Sequence, residues 1–234
     1  MEELRLVLTR LGQGRGQIVA ITGEAGIGKS RLITELHAFA GSVDTAPATH
    51  RHPGLLWLEG RGVEHAMSYP YWPFADLLRG HLASIEGSND EQDPPSPIHR
   101  LEGALQRLAT AGQLTHNEIA EIGAALGWLL SLRFENEWDL RLQGVAILEV
   151  RRRAFDAVQR YIVALAHVQP LVLVFEDLHW ADPLSLALLA ALIDTLPRAP
   201  LLLLCVYRLE RAKNIINWQP PPVGSCQNAL PKWR

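Results

Sequence analysis

Cysteine is nearly absent: Cys205 and Cys226 are the only two in 234 residues. Two thiols make no disulfide framework, and Cys205 stands inside the apolar run "LLLLCVY", where a reduced, buried side chain is expected. A reducing, cytoplasmic setting fits. Charge of one sign is also missing, since 22 Lys and Arg against 25 Asp and Glu leave a net charge of -3. Such a balance gives no broad basic field, so direct nucleic-acid binding by this domain is not expected; it would need a local patch or a separate partner domain. Long apolar runs are lacking as well. "LLLLCVY" is too short to span a bilayer, and the opening "MEELRLVLTR" starts with acids and has no apolar signal segment, so no membrane role is expected. No internal repeat is apparent. What is present, 48% hydrophobic residues and seven Trp, describes one globular domain able to bury a core.

Four short apolar runs read as strands: Gln17 to Thr22, "LLWLEGR", "LVLVFE" and "LLLLCVY". Continuous runs of this kind are found in parallel sheets covered on both faces, so the expected fold class is an α/β three-layer sandwich with a parallel sheet, which the glycine-rich loop described next makes one of the P-loop type. A long helical insert separates the second and third strands, from about Tyr71 to His167. Within it Leu101, Leu105 and Leu108, then Phe155, Val158, Ile162 and Leu165, recur at helical spacing. "EGSNDEQDPPSP" interrupts the insert as an exposed loop. The expected core covers residues 1–208, and 209–234 reads as an irregular tail without a recognisable lid.

Between the first strand and a helix-compatible segment lies "GEAGIGKS", with Gly23, Gly28, Lys29 and Ser30 in the four fixed positions of a phosphate-binding loop. Glycines let the backbone curl so that its N-H groups face phosphate oxygens, and the helix that follows adds its positive end. Lys29 reaches the outer phosphates and the Ser30 hydroxyl can ligate Mg²⁺. The nucleotide-binding stretch is therefore Gly23, Glu24, Ala25, Gly26, Ile27, Gly28, Lys29, Ser30 and Arg31. The loop alone does not separate kinases, GTPases and ATPases.

The third strand ends in Glu176 and Asp177. Ligands of open α/β sheets gather at the carboxyl ends of strands, so both acids are expected beside the loop. One can hold Mg²⁺ with Ser30 while the other orients or deprotonates the attacking water. Glu176 is the expected metal-side acid, although residue type leaves open which of the two contacts the metal shell. Asp182 before Pro183 is a helix start and reads as structural. Trp180 reads as packing under that turn and His179 as a hydrogen-bonded loop histidine. Arg208, at the end of the fourth strand, is placed to sense a terminal phosphate. Arg151, Arg152 and Arg153, with Asp156 and Arg160, read as a solvated polar helix face.

Together "GEAGIGKSRL", "YPYWPFADLLR", "LVLVFEDLHWADPLSLALLAAL" and "CVYR" resemble the ATPase domain of the signal-transduction ATPases with numerous domains (STAND), in the branch similar to origin-recognition-type AAA+ modules. The likeness runs from about Gly16 to Arg208. It implies an ATP/ADP- and Mg²⁺-dependent switch of bacterial regulators, often joined to LuxR-type DNA-binding or cyclase domains. It assigns Glu176 and Asp177 to the Walker B acids and Arg208 to the sensor, and implies that the fourth strand lies between the first and third. That family usually carries a glycine-arginine-glutamate box upstream, a fifth strand and a helical lid downstream; no counterpart is read here, as if the copy were truncated.

The leading expectation is an ATP-binding, weakly hydrolysing regulatory module, with a nucleotide-binding scaffold lacking turnover and a P-loop kinase as alternatives. A protein partner or self-association is expected with it.

Overall fold

A computed structural model describes residues 2–42, 54–85, 96–134 and 136–208. The expected irregular tail, Cys226 and most of the expected exposed loop lie outside the described residues.

Chain order is α1 (Glu2–Gly12), β1 (Gln17–Thr22), α2 (Lys29–Ser42), β2 (Leu56–Arg61), α3 (Trp72–Ser84), α4 (Pro97–Thr110), α5 (His116–Leu130), α6 (Glu137–Leu140), α7 (Ile147–Val168), β3 (Leu171–Glu176), α8 (Pro183–Ile193) and β4 (Leu201–Tyr207). All four expected strands form, and the described residues between β2 and β3 are mostly helical. Contacts divide the chain into two compact units, Met1–Pro73 with Gln169–Arg234, and Phe74–Val168.

The first unit holds a parallel sheet of order β1-β4-β3-β2. β4 thus lies between the strand that precedes the glycine-rich loop and the strand that ends in acids, as the family resemblance implies. On one sheet face Val19, Ile21, Val172, Val174, Leu202, Leu204 and Val206 form a core with Leu4, Leu8 and Leu11 of α1 and Ile33 and Leu36 of α2. The spacing of the three α1 leucines keeps them on one helix face. Alternate residues of the central strands, among them Leu173, Phe175, Leu203 and Cys205, point to the opposite face and are equally buried. Both faces of β3 and β4 are therefore covered, which is why these runs are apolar without alternation. The edge strands differ from the expectation of four fully buried strands: β1 and β2 are only partly covered along their length, because each has one neighbour in the described sheet. Burial pushes the Cys205 thiol up to about 12, which keeps it reduced and inert.

In the second unit α5 packs against α4 and α7. Ser96 caps α4 ahead of Pro97, and Thr115 with Glu118 forms a reciprocal capping box at the start of α5. The arginines of α7 behave largely as a solvated face. Arg152 pairs with Glu149 and Asp156, Arg153 with Glu149, and Arg160 with Glu118 and Glu121; Arg151 is partly buried.

Candidate functional site

β1 runs straight into the glycine-rich loop, and α2 begins at Lys29. Gly26 and Gly28 take φ of 78° and 99°, values that a side chain disfavours, so the loop's curl depends on them. From Glu24 to Gly28 the loop is open to solvent. Lys29 Nζ donates to the carbonyls of Gly23 at 2.8 Å and Glu24 at 2.7 Å, folding its ammonium over the loop. Arg31 pairs with Glu35 one turn along α2 at 2.9 Å.

The acid-bearing strand reaches the same place from the other side of β4. β3 is buried through Glu176, whose Oε2 accepts from Ser30 Oγ at 2.9 Å. The same oxygen lies 3.4 Å from Arg61 Nη2. Arg61 ends β2 and is the register partner of Glu176. Sequence reading missed Arg61; the available signal was a charged residue closing a mostly apolar strand, the same pattern that singled out Glu176 and Arg208.

Asp177 leaves the strand in the left-handed region, φ 50° and ψ 38°, with no capping hydrogen bond from its side chain. A non-glycine residue held there marks local strain of about 1–3 kcal/mol, which the surroundings must impose. They do so through backbone: Gly62 N-H donates to Glu176 O at 2.9 Å and Trp180 N-H to Asp177 O at 2.9 Å. A Cβ on Gly62 would sit 2.5 Å from Asp177 O and 3.4 Å from Trp180 Cβ. Trp180 is half-buried and packs in this turn, and His179 is buried with its ring 5.1 Å from that of Trp180.

Asp182 is buried and structural. Its carboxylate accepts from Leu184 N-H and Ser185 N-H, each at 3.0 Å, and from the Ser185 hydroxyl, capping α8. It also accepts from Tyr71 N-H at 3.1 Å. Tyr71, at φ 62°, was not anticipated as its partner.

Arg208 follows Tyr207, the register partner of Thr22, so it stands at the carboxyl end of the strand between loop and acids. Its Nε is buried and makes no hydrogen bond to the described residues. A buried guanidinium N-H with no acceptor suits an anionic ligand.

Ser30 Oγ and Glu176 Oε2 are hard oxygen donors already in contact, a fit for Mg²⁺, which keeps several waters and substrate oxygens and needs few protein ligands. Among the described residues no group of three or more His, Cys, Asp or Glu gathers in a metal-binding cluster, so a metal held by protein side chains alone has no such site there. Nor is any described helix long and apolar enough to cross a membrane.

A parallel sheet with a glycine-rich loop after β1 and acids after β3 defines a P-loop nucleotide-binding module. The chain belongs to the AAA ATPase domain family, whose profile matches residues 1–204. It is 24% identical over 209 residues to an uncharacterized protein of Rhizobium meliloti (strain 1021), an alignment covering 89% of this chain and 18% of that protein. The chain thus spans less than a fifth of the curated relative it matches.

Proposed function

We propose that this AAA ATPase domain is an ATP-binding, weakly hydrolysing switch module of a bacterial signal-transduction or transcription regulator in the cytoplasm. The Ser30–Glu176 hydrogen bond carries the reading, because it brings the phosphate loop and a strand-end acid to one point. In this reading Gly23 to Ser30 cradle the phosphates, and Lys29 exchanges its two carbonyl acceptors for phosphate oxygens. Ser30 and Glu176 hold Mg²⁺, which when bound neutralises charge on the phosphates. Asp177, turned out of the strand, orients the attacking water and accepts its proton. Arg208 reads the terminal phosphate. Residues 1–208 act as the nucleotide-binding core.

Leu140, Ile147 and Leu148, which are 62%, 53% and 74% exposed around the α6–α7 connection, support a protein partner or self-association for the helical unit. Calorimetric titration with ATP and ADP, with and without Mg²⁺, tests the reading alongside phosphate release. Nucleotide affinity that is the same in wild type and Lys29→Ala would overturn it.

A further inference from the structure

We infer that the outer face at the start of α7, together with the α6–α7 connection, is the surface through which two copies of this chain pair. The inference rests on the partner part of the reading above, to which it adds the identity of the partner, and it does not depend on nucleotide binding.

Three observations carry it. First, apolar exposure is concentrated there: of the six large hydrophobic side chains that stand out to solvent among the described residues, Leu140, Ile147 and Leu148 fall in the one stretch 140–148. Second, α7 is apolar on two sides. Val150, Ala154, Ala157 and Tyr161 are buried in the helical unit. Leu148 and Phe155, with Arg152 between them, lie on the opposite side of the helix by its periodicity; Leu148 and Arg152 are exposed there and Phe155 is half-buried. Third, the charge around these side chains cancels. Residues 137–156 carry four acids and four arginines, and on α7 Arg152 pairs with both Glu149 and Asp156 while Arg153 pairs with Glu149.

That balance decides the partner. A nucleic acid, an anionic membrane or an acidic peptide is drawn by a cationic field, and a basic segment by an anionic one; over 137–156 neither sign prevails. A surface with both signs beside apolar side chains can instead be complementary to itself. In a two-fold pair every contact occurs twice, so an axis that sets Glu149 of one copy against Arg152 of the other also makes the reverse pair. Leu148 and the arginine stems then supply an apolar centre, and the charges its rim. Association exchanges exposed pairs within a helix, worth little in water, for the same pairs between copies.

The test is sedimentation velocity of the full 234-residue chain over a concentration series, with urea midpoints to show that each variant is folded. Wild type should pass reversibly from monomer to dimer as concentration rises. Leu148→Asp should raise the dissociation constant by at least about tenfold, the low end for one buried leucine; the milder Leu148→Ser keeps the test if the aspartate variant misfolds. Glu149→Arg and Arg152→Glu should each weaken pairing. An equal mixture of those two proteins should pair more tightly than either alone, because the two changes restore opposite charges between copies but not within one. A wild type that stays monomeric throughout overturns the inference and leaves the partner reading to a different protein. A dimer that the Leu148 variants leave unchanged, or a mixture that pairs no better than its components, overturns it as well and places self-association on another surface. ATP titration of the same wild-type protein tests the nucleotide reading separately.

Discussion

Ser30 and Glu176 are separated by 146 positions in the chain and joined by a 2.9 Å hydrogen bond. The sheet order explains the meeting. β4, late in the sequence, inserts between β1 and β3, so the loop after β1 and the acids after β3 flank one strand end. Parallel strands all open their carboxyl ends on the same side, and the hydroxyl that begins α2 faces the carboxylate that ends β3.

Lys29 is the first place where this geometry can be tested. Its ammonium bonds two carbonyls of its own loop, acceptors that a phosphate would replace with charged oxygens. Lys29→Ala should weaken ATP and ADP binding by about ten- to a hundredfold, the value of one or two hydrogen bonds to a charged group. Isothermal titration at fixed Mg²⁺ measures this.

Glu176 and Asp177 should matter after binding more than during it. A metal shell and a positioned water gain most as phosphoryl transfer proceeds. Changing both to amides should leave ADP affinity within about threefold and lower residual ATP hydrolysis by more than about tenfold. Single-turnover phosphate release reads the second effect; undiminished turnover in the double variant would remove the carboxylates from the chemistry.

The backbone at Asp177 depends on Gly62. A methyl group there would sit 2.5 Å from a carbonyl oxygen, and a backbone atom cannot rotate away as a side-chain end can. Gly62→Ala should cost about 1–3 kcal/mol of stability and disturb hydrolysis more than binding, because Asp177 is the atom group displaced. Urea denaturation and phosphate release, measured on the same protein, separate the two effects.

Much of this site was legible in the chain. "GEAGIGKS" demands a curled loop because only glycine tolerates the φ values of Gly26 and Gly28, and "LVLVFED" could only be a covered strand ending in charge. Asp182 before Pro183 announced its cap. Arg61 and Tyr71 were not legible in the same way. Their importance comes from register and from a fold-back: Arg61 matters because β2 aligns it with Glu176, and Tyr71 because its backbone N-H meets a carboxylate 111 positions away. Local pattern carries no record of such pairings. The even burial expected of all four strands failed for a similar reason, since apolar content does not say which strands occupy the edges.

Asp182 should prove structural. Its carboxylate satisfies two α8 N-H groups and the N-H of Tyr71, all close to 3 Å. Asp182→Ala removes the cap and leaves buried donors unsatisfied, a loss of about 2–4 kcal/mol. Asp182→Asn keeps a capping oxygen and should lose less. Nucleotide affinity of the folded Asn variant should stay within about twofold of wild type, because the cap contacts no phosphate-loop residue among its hydrogen bonds. Urea midpoints and calorimetry together check both halves.

His81 should make the helical unit sensitive to mild acid. Its ring is buried on α3, 6.0 Å from the Tyr161 ring of α7, and its Nδ1 makes no hydrogen bond to the described residues. Burial, with the Arg107 cation adding to it, lowers its pKa from 6.5 to about 4. The unfolded chain therefore binds a proton more readily than the folded one between those values. The contribution to stability is complete above about pH 6.5 and is lost as pH falls toward 4, by an amount on the order of 2–3 kcal/mol. Glu118 and Glu149 do not blur this window. Hydrogen bonds, from Thr115 to Glu118 and from Arg152 and Arg153 to Glu149, hold their pKa values near 2 against an ordinary 4.5, so their contributions decline only below about pH 4.5. Urea unfolding followed at pH 7, 6, 5 and 4.5 should show a progressive fall in wild type, while His81→Phe, which fills the site with a ring that cannot be protonated, should flatten it. A wild-type slope that survives in His81→Phe would assign the acid sensitivity to another group.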